Sequence, residues 1–557
     1  MKRFLCSAVA SLVVLVLVSG NGIAAQNSAP NLSEQERGCQ ALVDTPNLTI
    51  TSARLREADG GTPDYCYVKG TIPPAIQYHV QLPLPQNWNG RFLKWGDGGT
   101  DGDLDFADER VAQGYAVANS NMGHDNGSEP GASFAFDNRQ AEIDFGYRAA
   151  HLTANAGKTL VEAYYGKAPA YSYFEGCSTG GREALMEAQR FPFDFDGIVG
   201  GDPVHYLQSL NAMQLWMVQR FYRDGFAGNL AFDTDGDGAP DSLSKMKILE
   251  DAVLAKCDAG DGSNGGIKDR ITDGVIDDPL ACKFDPAVDL AAKMCPGNVD
   301  ADNCFTTLQI QTIKTVYDGA RDSKGVRVYK GYAPGSESGW ADQFIPLAAN
   351  SLRPGQLDDF MNFLFYENDP GVPVPDITQV SAPANTKKKP PEWAWWEFSI
   401  DDVTAGKGEF MMEITDARDP DLRPFLVQND GKLILYHGWR DSTAPPEPTV
   451  DYYKQVLATA FQGDAKAAQE RFRLFMAPGM DHCRGGPGPN TWDKLGPLVD
   501  WVENGKAPDF LVATHSTNGV VDNERKLCPY PQHAVYTGPA GGENDRANWV
   551  QGNFTCR

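Results

Sequence analysis

The chain has 557 residues, 41% of them apolar and 22% charged, with a formal charge of −25. That length exceeds one ordinary core and predicts two structural units in a globular protein. The charge excludes nucleic acid and an anionic membrane as main partners, because a phosphate-binding face needs clustered cations.

Lys2 and Arg3 precede an apolar run from Phe4 to Val18, and small residues follow at Gly20, Gly22, Ala24 and Ala25. This is the layout of a secretory signal peptide over residues 1–25, too short to span a bilayer. The mature protein is therefore expected to be secreted or periplasmic. Residues 141–166 read as helical, and the aromatic segment Ala170–Gly176 reads as a buried strand. Strong helix formers from Glu183 to Ala188 start a helix at once, and Gly197–Pro203 reads as another buried strand.

From about His205 to Phe425 the pattern shifts to acidic loops, prolines and aromatics, including Trp393, Trp395 and Trp396. The run Lys387–Lys389 lies in this stretch, is followed by prolines and reads as a solvated linker. Two further strands, Lys432–Gly438 and Arg471–Gly479, follow it. Strands alternating with helices imply an α/β fold with a parallel sheet covered on both faces. The expected organisation is a first catalytic part over 26–206, an inserted lid domain over 207–424, and a second catalytic part over 425–557.

Gly176-Cys177-Ser178-Thr179-Gly180 matches G-x-S-x-G between a strand and a helix, the setting that lifts a serine hydroxyl above a sheet edge. Ser178 is the candidate nucleophile, and the Thr179 amide at the helix start is a candidate oxyanion donor. A serine needs a base. His482 follows the last strand; His437 and His124 are rivals, with His437 read as structural or as part of the pocket wall. With His482 as base, the α/β-hydrolase order Ser–acid–His places the acid at Asp441, four residues past His437. Asp481 is a competitor, but an immediate neighbour reaches the far imidazole nitrogen poorly.

Eleven cysteines leave ten after Cys6 is removed with the signal peptide, an even number suited to five disulfides. Sequence alone leaves many pairings open. Locality favours Cys39–Cys66, Cys257–Cys282, Cys295–Cys304 and Cys528–Cys556, which leaves Cys177 and Cys483, the neighbours of Ser178 and His482. A bridge between these two would hold the serine and the histidine within reach of one another.

GCSTGGREAL, HGWRDSTAPP and PGMDHCRGGPG resemble the tannase and feruloyl esterase family of secreted α/β-hydrolases, which includes hydrolases of mono(2-hydroxyethyl) terephthalate. The resemblance runs over nearly the whole mature chain. It implies an α/β-hydrolase fold with a large inserted lid, a triad of Ser178, Asp441 and His482, and Gly99 as the second oxyanion donor beside Thr179. Asp202 stands where the family more often has a small residue; in the pocket it would disfavour an anionic group.

The family's lid also carries a calcium loop closed by a local disulfide, and Cys257–Cys282 is similar to it. By that likeness Asp258, Asp269 and Asp273 supply carboxylates to Ca²⁺, with carbonyls from Ile271 and Val275. Roughly eight extra residues and Arg270 depart from the pattern, so Asp261 is an alternative to Asp258 or Asp269. A second acidic run, Asp233–Asp241, lacks the closing acid of an EF-hand because Ser244 stands at its twelfth position. The expected function is hydrolysis of carboxylic esters of aromatic acids (galloyl, feruloyl or cinnamoyl, or a terephthalate monoester) through an acyl-enzyme. The aromatic stretch around Trp395 is a candidate wall for the acyl group. A catalytically inactive calcium-stabilised binding protein and a serine peptidase are the alternatives.

Overall fold

The computed structural model describes residues 32–222, 228–238, 240–258, 271–347, 352–369 and 395–557, with the side chains of 352–355 left out. The expected signal peptide, Lys387–Lys389, Trp393, Asp261 and Asp269 lie outside the described residues.

Nine strands form one mixed sheet: β1 Thr49–Arg56, β2 Tyr65–Ile72, β3 Ile76–Pro83, β4 Arg91–Trp95, β5 Ala116–Ser120, β6 Tyr171–Cys177, β7 Gly197–Gly201, β8 Lys432–Gly438 and β9 Phe472–Ala477. Their spatial order is β1-β2-β3-β5-β4-β6-β7-β8-β9. The run from β5 to β9 is parallel, as the alternation of strands and helices predicts. The N-terminal edge, β1 to β3 and its junction with β5, is antiparallel and was not foreseen.

The central strands are buried on both faces, and side-chain alternation sends neighbours to opposite layers. Phe174 packs with Ile198, Leu433 and Phe472 on one side. Tyr173 packs with Val199, Ile434 and Phe475 on the other. The helices Ala149–Tyr165, Thr179–Arg190 and Glu447–Phe461 cover the first layer. The helix Gly496–Asn504 covers the second through Leu498 and Trp501. Full burial of each such side chain is worth ~1.5–3 kcal/mol relative to exposure, so this two-sided layering fixes where the strand ends lie.

Between β7 and β8 the described residues of 202–431 lie outside the sheet and include the helices Leu207–Tyr222, Ser244–Cys257 and Thr307–Asp318. The last begins with a capping box, Thr306 and Gln309 satisfying each other's backbone amides. Leu215, Val218, Leu249, Ile313, Trp340 and Phe365 build an apolar cluster in this part of the chain, which extends to Phe134 and Phe145.

Five disulfides are formed: Cys39–Cys66, Cys177–Cys483, Cys257–Cys282, Cys295–Cys304 and Cys528–Cys556. No helix of the described residues is long and apolar enough to cross a membrane.

Candidate active site

Parallel strands deliver their C-terminal ends to one edge, and the crevice beyond that edge is where such sheets bind ligands. Ser178 directly follows β6, Asp202 follows β7, the turn to Asp441 follows β8, and His482 lies five residues past β9. Ser178 has φ 63°, ψ −120°, an unfavourable backbone for a residue with a β-carbon and the mark of a strand turned sharply into a helix. Its amide donates to the Gly201 carbonyl at 2.9 Å, and its carbonyl accepts from Arg182 at 3.1 Å.

The helix Thr179–Arg190 that follows Ser178 must approach the loop after β4 closely. Gly180 permits it: an added β-carbon would meet the Asp97 carbonyl at 2.8 Å. The Gly180 amide donates to that carbonyl at 2.6 Å, and Thr179 Oγ1 donates to the Gly99 carbonyl at 2.6 Å. Gly99 takes φ 62°, and Thr179 opens the helix, so the Thr179 amide has no acceptor within it. Gly99, Ser178 and Thr179 all line one cavity.

His482 Nδ1 donates to Asp441 Oδ2 at 2.7 Å. In the neutral ring this fixes the tautomer and puts the lone pair on Nε2, which has no hydrogen-bond partner among the described residues. Asp441 is fully buried. Its Oδ1 accepts from the Thr443 and Ala444 amides at 2.7 and 2.8 Å, and Oδ2 also faces His437 Nε2 at 3.1 Å. Burial alone would raise the Asp441 pKa; the His482 charge and the imidazole hydrogen bonds outweigh it and hold the carboxyl well below its ordinary range. Burial likewise opposes charge on His482, but Asp441 and then Asp202 raise its pKa to about 9.

Strand spacing explains the role of the long-range bridge. β9 is three strands from β6, roughly 14 Å at about 4.8 Å per strand, so the loop carrying His482 must arch back over the ends of β8 and β7. The Cys177–Cys483 bridge, with Cα atoms 6.0 Å apart, ties that loop to the residue before Ser178.

The rival residues go elsewhere. Asp481 pairs with Arg440, and His124 stacks on Phe134 with ring centroids 3.8 Å apart. His437 is fully buried, hydrogen-bonded to Asp441, Thr449 and the Ala444 carbonyl, and does not line the cavity, so of its two readings the structural one holds. Asp202 is fully buried behind the cavity rather than in its lining. Among the described residues the aromatic rings of the cavity wall are Phe145 and Phe360, and neither Trp395 nor Trp396 lines it. Trp395 is 1% exposed and packs edge-on to Tyr222 and Trp396 instead. Leu207, Leu210 and the amide side chains of Asn126, Asn211 and Gln214 share the wall of this space of about 530 Å³.

A buried polar cluster beneath the site was also missed. Lys94 is fully buried and donates to the Trp95 carbonyl at 2.6 Å, 3.5 Å from Asp97 Oδ2. Glu183 and Glu187 of the helix Thr179–Arg190 are buried, and their carboxylates have no hydrogen-bond partner among the described residues. Burial raises the pKa of both. Sequence held one signal: Lys94 follows Phe92 by two residues and so shares its inward face.

For the expected cation loop, Asp258 is 4% exposed and accepts from the Asp273 and Gly274 amides at 3.3 and 2.9 Å. Arg525 bonds to Asp273 at 2.8 Å and to Asp277. Burial, reinforced by the charges of Asp273 and Asp277, raises the Asp258 pKa to about 7. Asp258, Asp277, Ile271 and Val275 are buried here, and Arg525 already partly neutralises Asp273 and Asp277. Separately, Asp233, Asp235 and Asp237 bring carboxylate oxygens within 4.8 Å of one another, while Asp233 accepts from the Gly236 and Gly238 amides.

Comparison with known proteins places this geometry. The family model "Tannase and feruloyl esterase" matches residues 63–550. The chain belongs to the tannase and feruloyl esterase family. It is 34% identical to a mono(2-hydroxyethyl) terephthalate hydrolase of Piscinibacter sakaiensis, over 92% of this chain and 91% of that one. It is 28% identical to feruloyl esterase B of Aspergillus niger, over 87% and 86% of the two chains. Among solved structures, feruloyl esterase B from Aspergillus oryzae superposes with a TM-score of 0.76 at 23% identity, covering 94% of this chain and all of that one. The tannin acyl hydrolase from Aspergillus niger gives 0.67 at 20% identity, covering 94% of each chain. The fold is that of the α/β-hydrolase esterases, and the protein is a carboxylic ester hydrolase.

Proposed function

We propose that this protein is a secreted serine esterase that hydrolyses carboxylic esters of aromatic acids through an acyl-enzyme on Ser178. The observation that carries the reading is the strained Ser178 turn in the cavity wall, bridged through Cys177–Cys483 to a histidine hydrogen-bonded to buried Asp441. His482 Nε2 accepts the Ser178 hydroxyl proton as Oγ bonds to the ester carbonyl carbon, and the carbonyl electron pair moves to oxygen. The Thr179 and Gly99 amides stabilise that oxyanion. Asp441 keeps the imidazole oriented and stabilises its cation. The proton then passes to the leaving alcohol, and water, activated by the same histidine, releases the acid.

The acyl pocket combines Phe145 and Phe360 with Asn126, Asn211 and Gln214. Apolar rings suit a planar acyl group, and Asn126 in the same wall adds a polar side chain. Relatives named for feruloyl and terephthalate esters agree with that class. Residues 207–424 act as the lid, holding Ca²⁺ through Asp258, Asp269, Asp273 and the carbonyls of Ile271 and Val275. When bound, Ca²⁺ would neutralise these carboxylates and cross-link the loop. Five disulfides and the N-terminal basic–apolar–small pattern support export.

The test is a panel of gallate, ferulate, chlorogenate and terephthalate monoesters, with matched amides and Ser178→Ala as controls. Turnover of at least one aromatic ester, lost in Ser178→Ala, is expected. Folded protein inactive on all of them, or amides cleaved as fast as esters, contradicts the reading.

A further inference from the structure

One residue amid the site takes no part in the chemistry above. Asp202 is fully buried and has φ 39°, in the left-handed region that a residue with a β-carbon enters at a cost. A buried carboxylate on a strained backbone persists only where its surroundings over-determine it, commonly beside a functional site. Its surroundings do so here. Its amide donates to the Tyr436 carbonyl at 2.8 Å, and Oδ1 accepts from the Gly438 amide at 2.9 Å, two bonds that fasten the end of β7 to the end of β8. Oδ1 lies 3.8 Å from His437 Nε2, and Oδ2 lies 3.5 Å from Cys177 Sγ. A carboxylate oxygen is within 4.8 Å of the Asp441 carboxylate and a His482 ring nitrogen, and within the same distance of both bridge sulfurs.

We propose that Asp202 is a positioning residue of the esterase: a second carboxylate that favours the imidazolium formed on His482 and staples the Asp441 turn to the nucleophile side of the sheet. This rests on the serine mechanism above. The staple is covalent-free and local: β7 lies between the strand ending at Cys177 and the strand leading to Asp441, so Asp202 fills the space beneath the arch made by the bridge.

The groups facing Asp202 are few. Tyr436 and His437 come from β8, Asp441 from its turn, and His482 from the loop after β9. Lys494, ahead of the helix Gly496–Asn504, donates to the Cys483 carbonyl at 3.1 Å and also feels Asp202 and Glu175. Asp481, beside His482, is held by Arg440. Burial raises the Asp202 pKa to about 6, with His437 opposing, so it is anionic above that pH. Removing this charge takes away one of the two carboxylates that favour the imidazolium. The His482 pKa therefore falls.

The experiment follows the acid limb of kcat/KM, which reports the free base, for p-nitrophenyl ester hydrolysis. In Asp202→Asn the amide oxygen still accepts from Gly438, so the fold and the staple are kept. The limb is expected to move down by about one pH unit, the scale for a carboxylate about 4–6 Å from an imidazole, with a plateau rate roughly tenfold lower. Asp202→Gly relieves the positive φ but gives up the Gly438 bond, and is expected to show the same shift with a larger loss of kcat. A limb that stays at the wild-type pH in both variants overturns the proposal, even if activity falls, because a merely structural role lowers the rate without moving the limb. Ser178→Ala is run beside them: if it remains active, the serine reading itself has failed; if it is dead and the limb is unmoved, only the role of Asp202 has.

Discussion

Replacing Cys177 and Cys483 together by serine removes the bridge between the Ser178 turn and the His482 loop while leaving both residues in the chain. The bridge closes a segment of 306 residues, for which the chain-entropy scale gives about 5–6 kcal/mol, against about 2–5 commonly measured. At ~2.1 cal/mol/K of unfolding entropy per residue that corresponds to a Tm lower by roughly 2–5 °C. The effect on rate is separate. Without the bridge, the loop that arches over β7 and β8 is set by noncovalent contacts alone, and a displacement of about 1 Å at a catalytic group costs on the order of 100-fold. Initial rates on a p-nitrophenyl ester, resolved into kcat and KM, should show kcat down about 100-fold with KM nearly unchanged, since the Phe145 and Phe360 wall is untouched. Cys39→Ser with Cys66→Ser, which opens a 27-residue segment at the antiparallel edge, is the control: Tm falls and kcat stays. A Cys177/Cys483 double variant with wild-type kcat and wild-type Tm would refute the clamp.

Asp441→Asn should lower kcat by about 10⁴-fold, as the wrong imidazole tautomer is then stabilised, with unchanged circular dichroism as the check on folding. Chelation by EDTA should lower Tm, and Asp258→Asn should remove the dependence of Tm on added Ca²⁺. Glu187→Gln should raise Tm at pH 8 and leave it nearly unchanged at pH 4. The folded-state pKa of Glu187 is raised by burial, so its destabilising effect appears as pH rises above about 4.3, the unfolded value, and vanishes below it.

The parallel half of the sheet could be read from sequence because each strand is a short apolar run bounded by small residues and followed by a helix former or a motif. Ser178 was readable for the same reason, and Cys177–Cys483 because four local pairs exhaust the other cysteines. The antiparallel edge carries no such motif: its strands are joined without helices, and one of them, Ile76–Pro83, alternates apolar and polar residues. Where a side chain points was harder. His437 sits at the end of a strand, and only the fold shows its ring turned inward to Asp441 rather than outward to substrate. Glu183 and Glu187 look like the solvent face of a helix, yet both helix neighbours and the sheet enclose them beside Lys94. The cavity's amides come from distant segments, Asn126 before β6 and Gln214 after β7, so no local pattern announces them. Tryptophans near residue 395 suggested a substrate wall; the apolar cluster claimed Trp395 first, because burying so large a ring there outweighs leaving it at a cavity mouth.

The central claim is that Ser178 carries the acyl group between the two halves of the reaction. Rapid quenching with a p-nitrophenyl ester of an aromatic acid, followed by digestion and mass spectrometry, tests it most directly. The account predicts a burst of nitrophenol and one acyl group on the peptide containing Ser178, both absent in Ser178→Ala. Steady turnover by Ser178→Ala, or an acyl group on any other residue, would contradict it.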